Sequence, residues 1–411
     1  MHKVKLSSCG EYVLSPKIST NELNNKTYIT TDNMLPNKAG VVASENVPLN
    51  INVTKFLKND ILLSNIRPYF KKIWLAEFEG GCSADVLIFR TNKNYDSAYI
   101  KYCLSQDAFF KYNMAGAKGS KMPRGDKNHI LNFELPDIKL LEQEKISNLL
   151  LKIDAKIKLN KKVNLELESF AKTLYDYWFV QFNFPDEFGR PYKSSGREMV
   201  YNEKLKRDIP CNWSVDNFKS CITHINTGLN PRDNFVLNNG NIKYITVKNL
   251  TTQGSIDFSN CDTIDEIAQK IVHKRSEIGK DDILFASIAP LGRCYLIQEE
   301  PQTWDINESV FSIRPKNTIP SEYLYMFLMS ETFVKKAENS STGSIFAGIR
   351  IKTLEDMILV IPNNYILQQF KEKVSKILLQ KYIKECENQK LTSIRDFLLP
   401  MLMNGQVTIK D

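Results

Sequence analysis

Apolar residues recur every three or four positions from residue 146 onward: Ile146, Leu149, Ile153, Ile157, Val163, Leu167, Phe170, Leu174 and Tyr177, with Asn160 in the same stripe. Such spacing, sustained over several heptads, predicts a coiled-coil helix, and a polar Asn in the seam fixes register at some cost in stability. A second, less regular stripe runs through Phe370, Val374, Ile377, Tyr382, Cys386, Gln389, Ile394, Leu398 and Met401. Pro136 and Pro362 stand just before the two stripes, where proline is tolerated. Neither helix can leave such a stripe in water, so the simplest partner for each is the other. Forty helical residues make a rod of about 60 Å, long enough to hold two domains apart.

Elsewhere the pattern changes. Short apolar runs at 86–89, 283–288 and 357–361 alternate with turn-rich stretches such as "NTGLNPRDN" and "NNGN". One helix is predicted in each half, over 97–111 and 320–337. Mixed segments of this kind predict an α+β fold.

The two halves also repeat each other. "NDILLSNIRP" at 59 is answered by "DDILFASIAP" at 281, with Asp60/Asp282, Ile61/Ile283, Leu62/Leu284, Ile66/Ile288 and Pro68/Pro290 identical. "YITTDNM" at 28 answers "YITVKNL" at 244, and "AYIKYCLSQDAFF" at 98 answers "EYLYMFLMSETFV" at 322. Gly119-Ser120 answers Gly343-Ser344, "LPDIKLLEQ" answers "IPNNYILQQ", and "LESFAKTLY" shares its pattern with "LTSIRDFLL". A period this long is not that of a solenoid. It predicts an internal duplication: two similar mixed α/β domains separated by two long helices. The boundaries implied are 1–138 for the first domain, 139–182 for a central helix, 183–362 for a linker with the second domain, and 363–411 for a terminal helix.

Composition narrows the class. Hydrophobic residues make up 42% and charged residues 25%, the proportions of a soluble globular protein. No apolar run approaches a membrane span, and the amino-terminal residues lack a signal-peptide core, so a cytoplasmic location is expected. The eight cysteines form no C-x-x-C pair and the four histidines share no ligand spacing, so neither a metal nor another cofactor is expected. The formal charge of +8 points to a polyanion, yet residues 200–362 carry 18 basic and 20 acidic side chains against 18 and 13 in residues 1–138. Phosphate contacts shared with a partner fit that balance better than a stand-alone DNA binder.

The sequence falls short of each catalytic motif it comes near. No G-x-x-x-x-G-K-[ST] is present, and "AGAKGSKMPRG" has the wrong spacing. "NPRD" at 230 lacks the second proline and the aromatic residue of an amino-methyltransferase loop. "PDIKLLEQEK" at 136 lacks the Glu-x-Lys of a metal-dependent nuclease. A single-chain restriction–methylation enzyme would need such motifs, so the chain is expected not to be an enzyme.

The segment "LEQEKISNLLLKIDAKIKLNKKVNLELESFAKTLYDYWFVQF" (141–182) resembles the central region of the specificity subunits of type I restriction-modification systems. "IPCNWSVDNF", "NTGLNP", "YITVKNL" and "GKDDILFASI" resemble the opening of one of their target-recognition domains. "LTSIRDFLLPMLMNGQV" resembles their carboxyl-terminal ending. The resemblance implies a non-catalytic subunit with two target-recognition domains, each reading one half of a split double-stranded DNA target. It also implies antiparallel helices with pseudo-two-fold symmetry that set the gap. The implied partners are DNA adenine methyltransferase (M) subunits and, through them, restriction/translocase (R) subunits, with no membrane. One departure is that Met1 aligns near residue 217, leaving the first copy without a counterpart of "IPCNWSVDNF". A scaffold of two adaptor domains that never touches DNA is the competing expectation.

Base reading needs Arg, Lys, Asn, Ser or Thr on rigidly held elements. The candidates in the first copy are Asp32, Asn33, Asn65, Arg67, Lys71, Lys118, Ser120, Lys121 and Arg124, and in the second Thr227, Asn230, Arg232, Lys248, Asn249, Ser287, Arg293 and Ser344. Gly-Ser loops are also ordinary turns and lysines are usually solvated surface; Lys118, Lys121, Arg124 and Lys127 gain weight by sharing one glycine-rich loop. Ile153, Asn160, Leu167, Ile377 and Leu398 are candidates for the spacer or for partner docking. So are Trp178 and Phe179, in "YDYWFVQFNF", where packing against the next domain is preferred to base stacking.

Overall fold

The computed structural model describes residues 2–339 and 348–409. The chain divides into two compact units: Met1–Lys158 with Asn388–Asp411, and Leu159–Glu387. Both boundaries fall inside the long helices, Leu140–Tyr175 and Asn364–Met403, so each unit is built on a piece of each helix. Among the described residues, no helix is long and apolar enough to cross a membrane.

The first unit centres on a four-stranded antiparallel sheet in the order Gly10–Tyr12, Val86–Thr91, Ile61–Ser64, Ile73–Leu75. The second unit has Ile222–Thr227, Val310–Pro315, Ile283–Ala286, Cys294–Leu296 in the same order. The central registers match as well, Ile61 facing Phe89 and Ile283 facing Ile313. A flanking pair recurs too: Lys3–Lys5 against Glu134–Pro136, and Ser214–Asn217 against Ile358–Ile361. The first unit thus holds a counterpart of residues 214–217, which the alignment of Met1 with residue 217 did not give it.

The repeated "NDIL/DDIL" has a local cause. Asp60 and Asp282 are buried, at 2% and 1% exposure. Asp60 accepts two 2.7 Å bonds from the Arg90 guanidinium and one from the Leu57 amide at 2.7 Å. Asp282 accepts two 2.8 Å bonds from Arg314 and one from the Gly279 amide at 2.9 Å. In each unit the carboxylate closes the turn before the central strand and ties it to the neighbouring strand. These bidentate, charge-assisted bonds are the strong kind.

A second sheet differs between the units. The parallel pair Tyr28–Ile29/Gly80–Cys82 corresponds to Ile242–Ile245/Trp304–Ile306. In the first unit Asn52–Phe56 adds beside Gly80–Cys82, whereas in the second Asp262–Ile264 adds beside Ile242–Ile245. A helix, Glu266–Ser276, then follows. The helix predicted over 97–111 is two, Ser97–Leu104 and Asp107–Ala115, and that over 320–337 is Ser321–Met329 and Glu331–Asn339. Near the breaks, Ser105 and Ser330 hydroxyls bond backbone carbonyls, competing with helical bonding.

The long helices pair antiparallel within each unit. In the first, Arg395 donates to Asp154 at 2.8 Å. Leu150, Leu402 and Met403 are buried in its core. In the second, Asn160 donates to Glu387 at 2.9 Å and Tyr175 packs against Phe370. The seam departs from the predicted stripe: Phe170 is 59% and Tyr177 37% exposed, while Asn164, Glu168, Ala171 and Tyr175 are buried. On the second helix Lys381 is buried and Gln389 and Ile394 are exposed. The Lys381 ammonium lies 3.5 Å from Glu168 and 3.8 Å from Glu385. It also donates to the carbonyls of Gln253 and Gly254, and Ser255 donates to Glu385 at 2.6 Å. Burial lowers the affinity of Lys381 for its proton, and the two carboxylates oppose that shift. The polar centre of the seam thereby fastens the 251–255 turn to the helix pair.

Asp60→Asn and Asp282→Asn should each reduce the unfolding free energy by about 2–4 kcal/mol, measured by urea denaturation. Lys381→Met, which removes the cation that Glu168 and Glu385 share and leaves Glu168 only Lys172, should cost about 3 kcal/mol on the same scale.

Candidate nucleic-acid interface

The loops leaving the paired strands carry the residues that the sequence nominated, and the structure sorts them into two groups. Asn33 is 4% exposed. Its carbonyl oxygen accepts from the Thr30 amide at 2.6 Å, and its amide donates to the carbonyls of Tyr28 and Val42. Asn249 repeats this, accepting from the Thr246 amide at 2.9 Å and donating to the carbonyl of Asp257. Both side chains hold the turn after a strand, so a Thr-x-x-Asn spacing in "YITTDNM" and "YITVKNL" is a turn lock. Both are buried, with their amides bonded to nearby backbone.

Ser287 and Arg293 are internal too. Ser287 is buried and donates to the carbonyl of Ser309 at 2.7 Å. Arg293 donates to the carbonyls of Pro290 at 3.0 Å and Val247 at 2.5 Å, with longer bonds to Ile288, Ala289 and Leu250. Burial lowers its proton affinity. It clamps the loop after the central strand onto the turn that carries Lys248. Asn65 is buried with its side-chain oxygen unpaired, against Gly125 and the fully buried Asn113.

The second group faces solvent. Arg67, Ser120 and Lys121 are exposed in the first unit, and Arg232 and Lys248 in the second. Asn230 is half-buried, with its backbone carbonyl accepting from Asn234. Arg67 and Arg232 have positive φ, 48° and 23°, so each projects from a tight bend. The backbones of Lys118 and Arg124 bond each other twice at 2.9 Å, making residues 118–124 a small hairpin, and Arg67 joins it through the carbonyl of Pro123 at 2.8 Å. This brings Arg67, Lys118, Ser120, Lys121 and Arg124 onto one loop pair.

Some of these cations are partnered. Lys118 lies 2.9 Å from Asp126, and Arg124 3.1 Å from Asp85. Lys71 is bound to Asp107 at 2.8 Å, and Thr227 accepts from Arg275 at 3.3 Å. The Lys118 bond, with the helix-capping amides of His129 and Asn128, holds the Asp126 carboxyl down at about 2. Asp32 is exposed at the turn locked by Asn33, and Ser344 lies outside the described residues.

Sequence reasoning missed Tyr69, Phe70 and Met122, which are 47%, 38% and 48% exposed beside Arg67 and Lys121. Tyr69 and Phe70 lie 4.7 Å apart. Their signal was the "RPYFKK" run itself, aromatics interleaved with cations.

Among the nominated helix residues, Asn160 is buried, and Ile153, Leu167, Ile377 and Leu398 are half-buried in the helix packing. Trp178 and Phe179 are buried in the second unit, Phe179 lying 4.8 Å from both Tyr323 and Phe370. They pack the core of their own unit and are closed to a partner. The exposed apolar helix positions are others: Leu159, Leu165, Phe170, Leu379 and Ile383 in the second unit, Leu151, Ile394 and Phe397 in the first. Among the described residues no group of three or more His, Cys, Asp or Glu could hold a metal ion.

Residues 220–395 match the family described as the type I restriction modification DNA specificity domain. The chain is 26% identical to the type I restriction enzyme MjaIX specificity subunit of Methanocaldococcus jannaschii over 320 residues, 77% of this chain and 70% of that protein. It is 23% identical to the HindI specificity subunit of Haemophilus influenzae, across 96% of this chain and 97% of that one. Its fold is similar to that of the type I restriction-modification S subunit from M. genitalium, with a TM-score of 0.59 at 15% identity over 98% and 96% of the two chains.

The two groups should separate in a stability assay. Asn33→Ala and Asn249→Ala should each cost about 1–3 kcal/mol by stranding buried backbone groups. Arg67→Ala, Arg232→Ala and Lys248→Ala should change stability by less than about 0.5 kcal/mol, measured by thermal and urea unfolding.

Proposed function

We propose that this chain is a specificity subunit of a type I restriction-modification system and that it reads a bipartite double-stranded DNA target for such a complex. One observation carries the reading. The first unit repeats the strand order, central register and Asp–Arg clamp of the second, and the second contains most of the segment that matches the specificity domain. Two similar reading modules fit a target in two halves, with the long helices setting the gap. Phosphate contacts position such a protein and base contacts specify the sequence. In the first unit, Arg67, Lys121 and Arg124 are assigned to this surface, with Tyr69 and Phe70 alongside. In the second, Thr227, Asn230, Arg232 and Lys248 are.

In this reading the chain is not itself an enzyme. Methyl transfer to adenine belongs to methyltransferase subunits docked on exposed helix residues such as Leu379 and Ile383, and restriction belongs to translocase subunits joined through them. The complex works in the cytoplasm and the chain takes no cofactor of its own. The functional segments are 1–138 and 183–362 for reading, with 139–182 and 363–411 for spacing and docking.

Co-expression with its partner methyltransferase in a methylation-free host, followed by genome-wide mapping of modified adenines, tests this. The expected result is a split motif with a fixed gap. Arg67→Ala/Lys121→Ala should relax one half and Arg232→Ala/Lys248→Ala the other, each base contact being worth about 1–3 kcal/mol. No motif, from a methyltransferase active with another specificity subunit, would leave the scaffold reading.

A further inference from the structure

The helix Glu266–Ser276 belongs to the second unit's own elaboration of the smaller sheet. Ala268, Val272 and Ser276 are buried. Ala268 and Val272 pack with Tyr244 and Ile264, and with Leu229, Phe235 and Leu237 from the loop that carries Asn230 and Arg232. Its buried side is fixed further where Ser276 donates to the buried Asp305 at 2.7 Å and His273 lies 3.2 Å from the same carboxylate. The helix is therefore a rigid element locked to a loop already assigned to DNA.

Its opposite side is unusual. At 100° per residue, Ile267, Lys270, Ile271 and Lys274 share one face. Ile267 is 72% and Ile271 40% exposed, and both lysines are exposed. Among the described residues neither lysine has an ion-pair partner. Residues 200–362 carry more acidic than basic side chains, so two free cations flanking two bare isoleucines mark a local exception. Arg275, one step on, donates to Thr227 at 3.3 Å, and Asn226 donates to Glu277 at 3.2 Å. The face is thus continuous with the strand end that leads into the Asn230–Arg232 loop.

We propose that this helix is a second DNA-contacting element of the second unit. Lys270 and Lys274 sit on phosphates, while Ile267 and Ile271 press against apolar base edges such as thymine methyl groups in the major groove. That groove admits an α-helix, and the thymine methyl is one of its readable features. The inference rests on the DNA-reading assignment above and adds to it a helix that loop spelling did not nominate. The first unit places the strand Asn52–Phe56 beside its corresponding sheet, so the two modules would read their halves with different elements.

The test uses the full chain assembled with its methyltransferase and a duplex carrying the motif mapped by methylation sequencing. Lys270→Gln/Lys274→Gln should lower the slope of log affinity against log salt by about 1–2, each lost phosphate contact removing about 0.9. Ile267→Ala/Ile271→Ala should relax base preference in the second half-motif only, by on the order of tenfold. Thermal stability should not move in either variant, because all four side chains lie outside the core. A salt slope and motif equal to those of the unchanged protein would overturn the inference. So would variants that no longer bind the methyltransferase, which would make the face a protein contact. Absence of any sequence-dependent binding by the unchanged complex would be a failure of the underlying assignment instead.

Discussion

A carboxylate sealed beneath an arginine governs the geometry of both units. Asp60 and Asp282 are buried inside the protein, and Arg90 and Arg314 meet them with two bonds each. Burying an unpaired carboxylate would be far too costly. The pair leaves the turn before the central strand no freedom, and the loops that follow Ser64 and Ala286 inherit their position from it. A half-exposed arginine over a buried acid is also an economical device. It fixes a loop at the sheet margin without demanding that a whole ion pair be desolvated.

The same economy explains which polar residues remain free. Arg293, Ser287, Asn33 and Asn249 spend their hydrogen-bonding capacity on nearby backbone, making the loops stiff enough to present others. Arg67, Lys121, Arg232 and Lys248 are the ones presented. The loops divide labour between residues that shape a bend and residues that project from it.

That division marks the limit of what the sequence could convey. The α+β character, the paired long helices and the correspondence between "NDIL" and "DDIL" were readable, because apolar spacing and identity in a shared order, at an offset that drifts only slightly, are properties of the chain itself. Whether an asparagine bonds its own turn or faces solvent is a property of the fold, and one-letter spelling is the same for both. Asn249 and Lys248 are neighbours with opposite fates for this reason. Apolar spacing alone puts the helix seam over Phe170 and Tyr177, which the fold leaves exposed. Buried positions are also held by Asn164, Glu168 and Lys381, of which Asn164 donates to the Lys381 carbonyl and Lys381 reaches Glu168 and the 251–255 turn. Charged residues at a seam look like surface until their partners are known.

The order in which the units can form follows from their makeup. The second unit, Leu159–Glu387, is one uninterrupted run, whereas the first needs residues 388–403 to fill its core with Leu402 and Met403. During synthesis at roughly 5–20 residues per second, residues 1–158 must wait on the order of tens of seconds for the segment that completes them. The part of the chain made first is therefore finished last. Until then the apolar cluster that Leu402 and Met403 complete is left open, and that interval is when a chaperone would find it.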